Sequence, residues 1–101
     1  MVTEASGGPQ YPEHVSHLVE LFYSEHCLSC PEARKIVQRL ASQRPDIVVI
    51  EHKIDDDLRL ATQYHLIATP ALVIDRDKVL YGVPRLETLA ARIETSAPVL
   101  E

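Results

Sequence analysis

Residues 18–31 read LVELFYSEHCLSCP, from Leu18 to Pro31. The run Leu18–Tyr23 is short and apolar, which is typical of a mostly buried strand. Pro31 suits the first turn of a helix, where a missing backbone N–H leaves no hydrogen bond unmade. The motif Cys27-Leu28-Ser29-Cys30 therefore falls between a strand and a helix. In that helix, apolar residues recur at helical spacing on one side and polar residues occupy the other (Ala33, Ile36, Val37, Leu40 and Ala41; Arg34, Lys35, Gln38 and Arg39).

Two further elements follow this first helix. The helix must end before Pro45, because a proline restricts the residue that precedes it. The β-branched run Ile47–Ile50 predicts a second strand, which a crossover helix would place parallel to the first. The acidic residues 55–57 suit the positive end of a short helix. Its apolar positions are Leu58, Ala61 and Tyr64.

The last third of the chain predicts a hairpin and one more helix. Ala71–Ile74 and Lys78–Tyr81 are interpreted as strands, and the three residues between them indicate an antiparallel hairpin. The order β-α-β-α-β-β-α predicts an α/β domain with a central mixed sheet of four strands flanked by helices. We expect a flexible N-terminal segment at 1–16, the domain at 17–95 and a C-terminal tail at 96–101. The final helix has an apolar stripe (Leu86, Leu89, Ala90 and Ile93).

Composition limits the classes of protein to consider. The chain has 101 residues, of which 46% are hydrophobic and 25% charged, and this is ordinary for one globular domain. The net charge of −5 argues against a nucleic-acid partner. The longest aliphatic run, 47–50, is far shorter than the roughly 20 residues of a membrane helix. The N-terminus lacks the apolar core of a secretory signal, so we expect a cytoplasmic, reducing location without a membrane partner. Paired cysteines there are more often catalytic or metal-binding than structural.

The position of Cys27 and Cys30 favours redox chemistry. A helix N-terminus presents unpaired N–H groups and a partial positive charge, which stabilise a thiolate over a thiol. A second cysteine one helical turn away is close enough to attack a sulfur bonded to the first. Disulfide exchange needs this geometry, because one thiol forms a mixed disulfide and the other resolves it. A C-x-x-C motif beside a βαβ pattern therefore predicts a redox site.

Other uses of the two cysteines are less favoured. A mononuclear zinc site needs four ligands, yet there is no second C-x-x-C or paired H-x-x-x-H, and the histidines at 14, 17, 26, 52 and 65 are scattered. A metal ion bridging two chains needs only two ligands from each, and it stays an alternative. A structural disulfide is disfavoured by the reducing compartment and the small loop. Two unrelated buried thiols are the remaining interpretation. We expect neither a metal nor a cofactor.

A second landmark is Ala68-Thr69-Pro70-Ala71, where a proline opens a predicted strand. In order along the chain stand the strand 18–23, the C-x-x-C motif, the run from Ile47 to Asp55, this proline and Gly82 after the last strand. With this series the chain resembles the thioredoxin superfamily in its short form, over most of residues 17–95.

The resemblance implies a role for each matching residue. Cys27 is expected to be the nucleophile and Cys30 the resolving thiol. Thr69 and Pro70 are expected to be joined by a cis peptide bond that faces the cysteines. The backbone of Thr69 is expected to pair with a substrate chain like an added strand. The partners implied are disulfide-containing proteins and a reductase similar to thioredoxin reductase.

The sequence departs from the family's pattern at several positions. The extra N-terminal strand and helix of thioredoxins have no room in residues 1–16. Leu21 stands where thioredoxins have a buried aspartate, and Glu20 should face the other side of the strand. The proton acceptor that would assist resolution is therefore missing or supplied differently. Residues 83–85 read Val-Pro-Arg instead of the glycine-acid motif of glutaredoxins, which disfavours glutathione use.

Charged residues near the motif have two interpretations. Protonated His26 would favour a thiolate at Cys27, whereas Glu25 would oppose it. The simpler interpretation is that both are solvated loop residues. Glu51 and Lys53, beside the second predicted strand, are interpreted as surface charges.

Taken together, the residues and the resemblance predict a small thiol-disulfide oxidoreductase, a protein-disulfide reductase of thioredoxin- or glutaredoxin-like fold. Reduced Cys27 would attack a disulfide in a partner protein, and Cys30 would then displace the product. One alternative is a non-catalytic adaptor in which the cysteines act as a redox sensor. The other is a dimer bridged by a metal ion through the C-x-x-C motif.

Overall fold

The computed structural model describes residues 16–100, so residues 1–15 of the predicted N-terminal segment lie outside the described part. The predicted elements are present in the predicted order, and a 3-10 turn over Ile54–Asp56 precedes the second helix. The strands and helices are β1 (His17–Tyr23), α1 (Cys30–Gln43), β2 (Ile47–Lys53), α2 (Leu58–Gln63), β3 (Ala71–Ile74), β4 (Lys78–Tyr81) and α3 (Leu86–Glu94).

The four strands form one mixed sheet in the order β2-β1-β3-β4. Strand β1 lies parallel to β2 and antiparallel to β3, and β3 and β4 form the antiparallel hairpin. In this register Leu21 lies between Glu51 on β2 and Leu72 on β3. The predicted fold, an α/β domain with a mixed four-stranded sheet flanked by helices, is therefore confirmed.

The alternation of side chains along β1 divides the core into two halves. Val19 and Leu21 pack with helices α1 and α3 on one face of the sheet. Phe22 packs with Ala61 of α2 on the opposite face. Helix α1 begins at Cys30, so this cysteine stands at the start of a helix that packs on the Val19 and Leu21 face of the sheet.

Strand β2 continues three residues beyond the predicted run Ile47–Ile50 and ends at Lys53. The apolar pattern stops at Glu51, so hydrophobicity alone could not predict this extension. The extension forms because β1 continues to Tyr23 and offers a pairing partner along the whole length of β2. Strand β2 is also the edge of the sheet, where charged residues are tolerated.

Glu20 faces the α2 side of the sheet, opposite to Leu21, as predicted, but it is buried and only 5% exposed. Its carboxylate accepts a 2.8 Å hydrogen bond from the Tyr64 hydroxyl and lies 3.0 Å from Nε2 of His52. The other ring nitrogen of His52 lies 3.0 Å from the carboxylate of Asp57. We call these four residues the Glu20 cluster. Burial, followed by the hydrogen bond to Glu20, raises the pKa of Tyr64 to about 12.

The two ends of the described chain meet. Ser16 and Leu100 form an isolated antiparallel bridge with N–H···O distances of 2.7 and 3.1 Å. Leu100 belongs to the predicted C-terminal tail, and this bridge places it beside the start of β1. Among residues 16–100, no helix is long and apolar enough to cross a membrane.

Candidate active site

The two cysteines lie where β1 gives way to helix α1. A turn over residues 25–29 follows β1, and α1 begins at Cys30 with Pro31 in its first turn. Cys27 is partly exposed, whereas Cys30 is buried at 5% exposure. A disulfide bond joins them, with their Cα atoms 5.4 Å apart, so the structure represents the oxidised form.

The surroundings of the disulfide contain groups that act on a thiolate in opposite directions. The N-terminus of the 14-residue helix α1 places its positive end beside both sulfurs, which favours a thiolate formed there. Glu32 in the first turn of α1 opposes it. The hydroxyl of Ser29 lies 3.9 Å from the Cys27 sulfur, at the outer limit of a sulfur hydrogen bond.

Thr69 and Pro70 form the second part of the site, in the loop before β3. The peptide bond between them is cis, as predicted. The Thr69 hydroxyl lies 3.0 Å from the Ser24 hydroxyl, so a direct hydrogen bond connects the cysteine loop with the proline loop. The Gly82 N–H donates to the Pro70 carbonyl at 2.9 Å, which fixes the proline loop from the other side. The sequence does not indicate this role of Ser24, because a serine directly after a strand has no local pattern that identifies its partner.

His26 occupies an exposed turn immediately before Cys27. Within residues 16–100, no hydrogen bond or ion pair connects its side chain to another residue. It is therefore adjacent to Cys27 only through the backbone, and its effect on the cysteine stays a prediction.

A cavity of about 310 Å³ lies beside the disulfide. Two cationic side chains line it, Arg34 on α1 and Lys53 at the end of β2, although the sequence predicts exposed surface positions for both. Lys53 forms a 3.4 Å ion pair with Glu25, and that carboxylate raises the pKa of Lys53. The complete lining is Tyr23, Ser24, Glu25, Cys27, Cys30, Pro31, Arg34 and Lys53.

Arg34 is held in place by two contacts. Its guanidinium lies over the ring of Tyr23, 5.0 Å from the ring centre, and its Nη2 donates to Glu51 at 3.1 Å. Glu51 also accepts a 3.0 Å hydrogen bond from Gln38, so it binds two residues of α1. The Arg34 Nε atom is buried and has no hydrogen-bond partner within the described residues. Both Arg34 and Glu51, interpreted from the sequence as surface residues, are therefore connected to the site.

The residues that the structure describes contain no group of three or more histidine, cysteine, aspartate or glutamate side chains placed to hold a metal ion. The cysteine pair lies apart from the Glu20 cluster, which faces α2. What the geometry brings together at this site is two neighbouring sulfurs, joined as a disulfide at the start of α1.

A mixed sheet, a C-x-x-C disulfide at the start of the first helix and a cis-proline before the hairpin define a protein of the thioredoxin-fold class. Sequence comparison gives the family. The chain is 34% identical over 77 residues to a thioredoxin of Methanocaldococcus jannaschii, covering 75% of this chain and 91% of that protein. It is 31% identical over 68 residues to a probable thioredoxin of Archaeoglobus fulgidus, covering 66% of this chain and 75% of that protein. The chain belongs to the thioredoxin family.

Solved structures agree on the fold. A mutant thioredoxin from Halobacterium salinarum matches with a TM-score of 0.73 at 24% identity, covering 86% of this chain and 80% of that one. The oxidised form of mitochondrial thioredoxin 3 from Saccharomyces cerevisiae matches with a TM-score of 0.71 at 20% identity, covering 83% and 82%. Residues 18–56 also match a family model described as a protein of unknown function, DUF1223. That match spans β1 to the 3-10 turn and includes both cysteines.

Proposed function

We propose that the protein is a protein-disulfide reductase that exchanges disulfides with protein substrates through Cys27 and Cys30. The observation that carries the proposal is the unequal exposure of the two cysteines at the start of α1: Cys27 is accessible, and Cys30 is buried behind it. An accessible sulfur suits attack on a bulky partner, and a covered sulfur suits the later intramolecular step.

The proposed reaction has two steps. The Cys27 thiolate attacks one sulfur of the substrate disulfide, and the other substrate sulfur leaves with the electron pair and takes a proton from water. The Cys30 thiol then loses its proton, and its thiolate attacks the Cys27 sulfur. The bond from Cys27 to the substrate breaks, and the second substrate sulfur leaves and is protonated. The substrate disulfide is reduced to two thiols, and the enzyme dithiol is oxidised to the observed disulfide.

Protein substrates are favoured by the surface around the two loops. Leu28 is 98% exposed and Ile67 is 86% exposed, and these apolar side chains lie on the cysteine loop and the proline loop. Large apolar side chains this exposed are suited to contact with another protein. The Thr69 backbone, held by the bond to Ser24, is proposed to pair with an extended substrate segment. A reductase related to thioredoxin reductase would return the protein to the dithiol form.

The test is catalysed reduction of insulin by dithiothreitol, followed by the turbidity of the released chains. We expect multiple turnovers with the unchanged protein and none above background with Cys27→Ser. Cys30→Ser should accumulate a mixed disulfide with insulin, visible on a non-reducing gel. Leu28→Ala serves as a matched variant in the same loop, since it retains both thiols and should keep turnover while weakening substrate binding.

The outcomes separate the alternatives. Oxidation that changes the affinity for a partner without repeated reduction of insulin would identify a redox-sensing adaptor instead. A dimer of reductant-purified protein that contains metal and loses it with Cys27→Ser would identify a metal-bridged pair. Either result would overturn the proposed reductase function.

A further inference from the structure

The second step requires a negative charge on the buried Cys30 sulfur, and Leu21 on β1 has no polar group that could stabilise this charge. Cys30 is 5% exposed, and burial of a thiol disfavours its ionised form. The residue on β1 that would be expected to assist, Leu21, is apolar and fully buried. Because Cys30 must become a thiolate to attack Cys27, another group has to stabilise that charge.

Arg34 has the position for this task. It follows Cys30 by four residues in the same helix, and side chains with this spacing are neighbours on one helix face. Its side chain also lines the same cavity as both cysteines. The stacking on Tyr23 and the bond to Glu51 restrict its guanidinium, so little ordering is needed when a negative charge forms nearby.

The contacts of Arg34 leave a buried donor without an acceptor. Glu51 contacts the Nη2 end of the guanidinium, whereas the Nε atom is buried and has no partner within residues 16–100. A buried N–H without an acceptor is unfavourable, and such groups in native proteins call for an explanation. The observed state is the disulfide, in which neither sulfur carries a charge. Reduction and ionisation would supply an anion on the face that Arg34 shares with Cys30.

We propose that Arg34 stabilises the Cys30 thiolate during resolution, a role for which Leu21 on β1 has no polar group. The proposal rests on the proposed two-step reaction. The Cys30 proton passes to solvent water through the open cavity, the thiolate attacks the Cys27 sulfur, and the electron pair leaves with the substrate sulfur. The substrate disulfide is the oxidant, and no other co-reactant is needed.

The other charges around the cavity do not replace Arg34. Lys53 stands at the end of β2 and not on the helix that carries Cys30, and its ammonium is paired with the exposed Glu25. His26 is exposed in the turn before Cys27, on the side of the accessible sulfur rather than the buried one. Glu32 in the first turn of α1 and Glu51 on β2 both oppose a thiolate. Among these groups, Arg34 is the cation that shares a helix face with Cys30.

The experiment is a stopped-flow single turnover of the reduced protein with 5,5′-dithiobis(2-nitrobenzoate), whose reaction releases a coloured thiolate in each step. The first release reports attack by Cys27, and the second reports resolution by Cys30. With Arg34→Gln we expect the second release to slow by about tenfold at neutral pH, and its pH profile to move up by about one unit. The first release should change less. Arg34→Lys should restore part of the second rate.

The matched control is Arg39→Gln, which removes the same charge from an exposed position on α1 outside the cavity. Both of its releases should follow the unchanged protein. An unaltered second release in Arg34→Gln, or a shift confined to the first release, would overturn the role of Arg34 while leaving the two-step reaction intact. Equal slowing of both releases without a pH shift would indicate a structural role and would also overturn it. If the unchanged protein gives no second release, the proposed reductase function itself fails.

Discussion

The Glu20 cluster should be a main determinant of stability, and Glu20→Ala tests this. The Glu20 carboxylate accepts the hydrogen bond from Tyr64 and faces Nε2 of His52, at 2.8 and 3.0 Å. Hydrogen bonds that involve a charged group contribute about 1.5–3 kcal/mol each. Alanine removes both contacts and leaves two polar groups without their partner in a largely buried place. We therefore expect the free energy of unfolding to fall by about 3–5 kcal/mol.

Glu20→Gln separates the hydrogen bonds from the charge. The amide oxygen still accepts from the Tyr64 hydroxyl, and the amide N–H₂ can donate to Nε2 of His52 if the ring carries its proton on Nδ1. That proton then faces Asp57, which lies 3.0 Å away. Since both contacts survive in neutral form, the expected loss is about 1 kcal/mol.

The assay is equilibrium unfolding in urea at pH 7, followed by far-UV circular dichroism with the disulfide intact in every variant. The fraction of Glu20→Ala protein that stays folded should still reduce insulin, because the Glu20 cluster lies on the α2 face of the sheet and not beside the cysteines. A loss below 1 kcal/mol for alanine, or equal losses for alanine and glutamine, would refute the argument. In the first case the contacts would contribute little, and in the second the charge alone would matter.

Three further predictions follow from local features. The pKa of Tyr64 is raised to about 12, so its neutral form contributes to stability below pH 10, and this contribution is lost as the pH rises from 10 to 12. In Tyr64→Phe, the free energy of unfolding measured in urea should therefore fall less steeply over that pH range than in the unchanged protein. His65 has a φ of 57°, in the left-handed region, so His65→Gly should raise the free energy of unfolding by about 0.5 kcal/mol, and a lower urea midpoint would contradict this. Ser24→Ala removes the bond to Thr69 and should lower kcat/KM for insulin about three- to tenfold with little change in stability; an unchanged kcat/KM would show that this bond does not position the proline loop.

The fold could be predicted from the sequence because local pattern and overall order agree. The hairpin strands Ala71–Ile74 and Lys78–Tyr81 have their predicted bounds, since an apolar run on each side of a three-residue turn specifies them without tertiary information. The end of β2 could not be predicted in this way, because pairing with β1 determines it. The burial of Glu20 also depends on partners 32 and 44 residues further along the chain. Such contacts leave no local pattern.

The candidate site divides along the same line. The sequence points to Cys27 and Cys30 as candidate site residues through the C-x-x-C motif and its place between a strand and a helix, and the family resemblance adds Thr69 and Pro70. The sequence does not point to Arg34, since a helical pattern places it on the polar side of α1 and does not indicate which residues of the neighbouring strand lie near it.

The register of β1 and β2 explains why the charge at this site is on a helix and not on the central strand. Leu21 lies between Glu51 and Leu72, and its side chain belongs to the fully buried core under α1 and α3. A carboxylate there would lose its hydration, which is unfavourable without a paired cation. The acidic group stands instead on the edge strand, where Glu51 is partly solvated and holds Arg34 against Tyr23. The face of β1 under α1 and α3 can then contribute fully to core packing, while the charge proposed to act on the buried sulfur comes from a residue supported by the sheet edge.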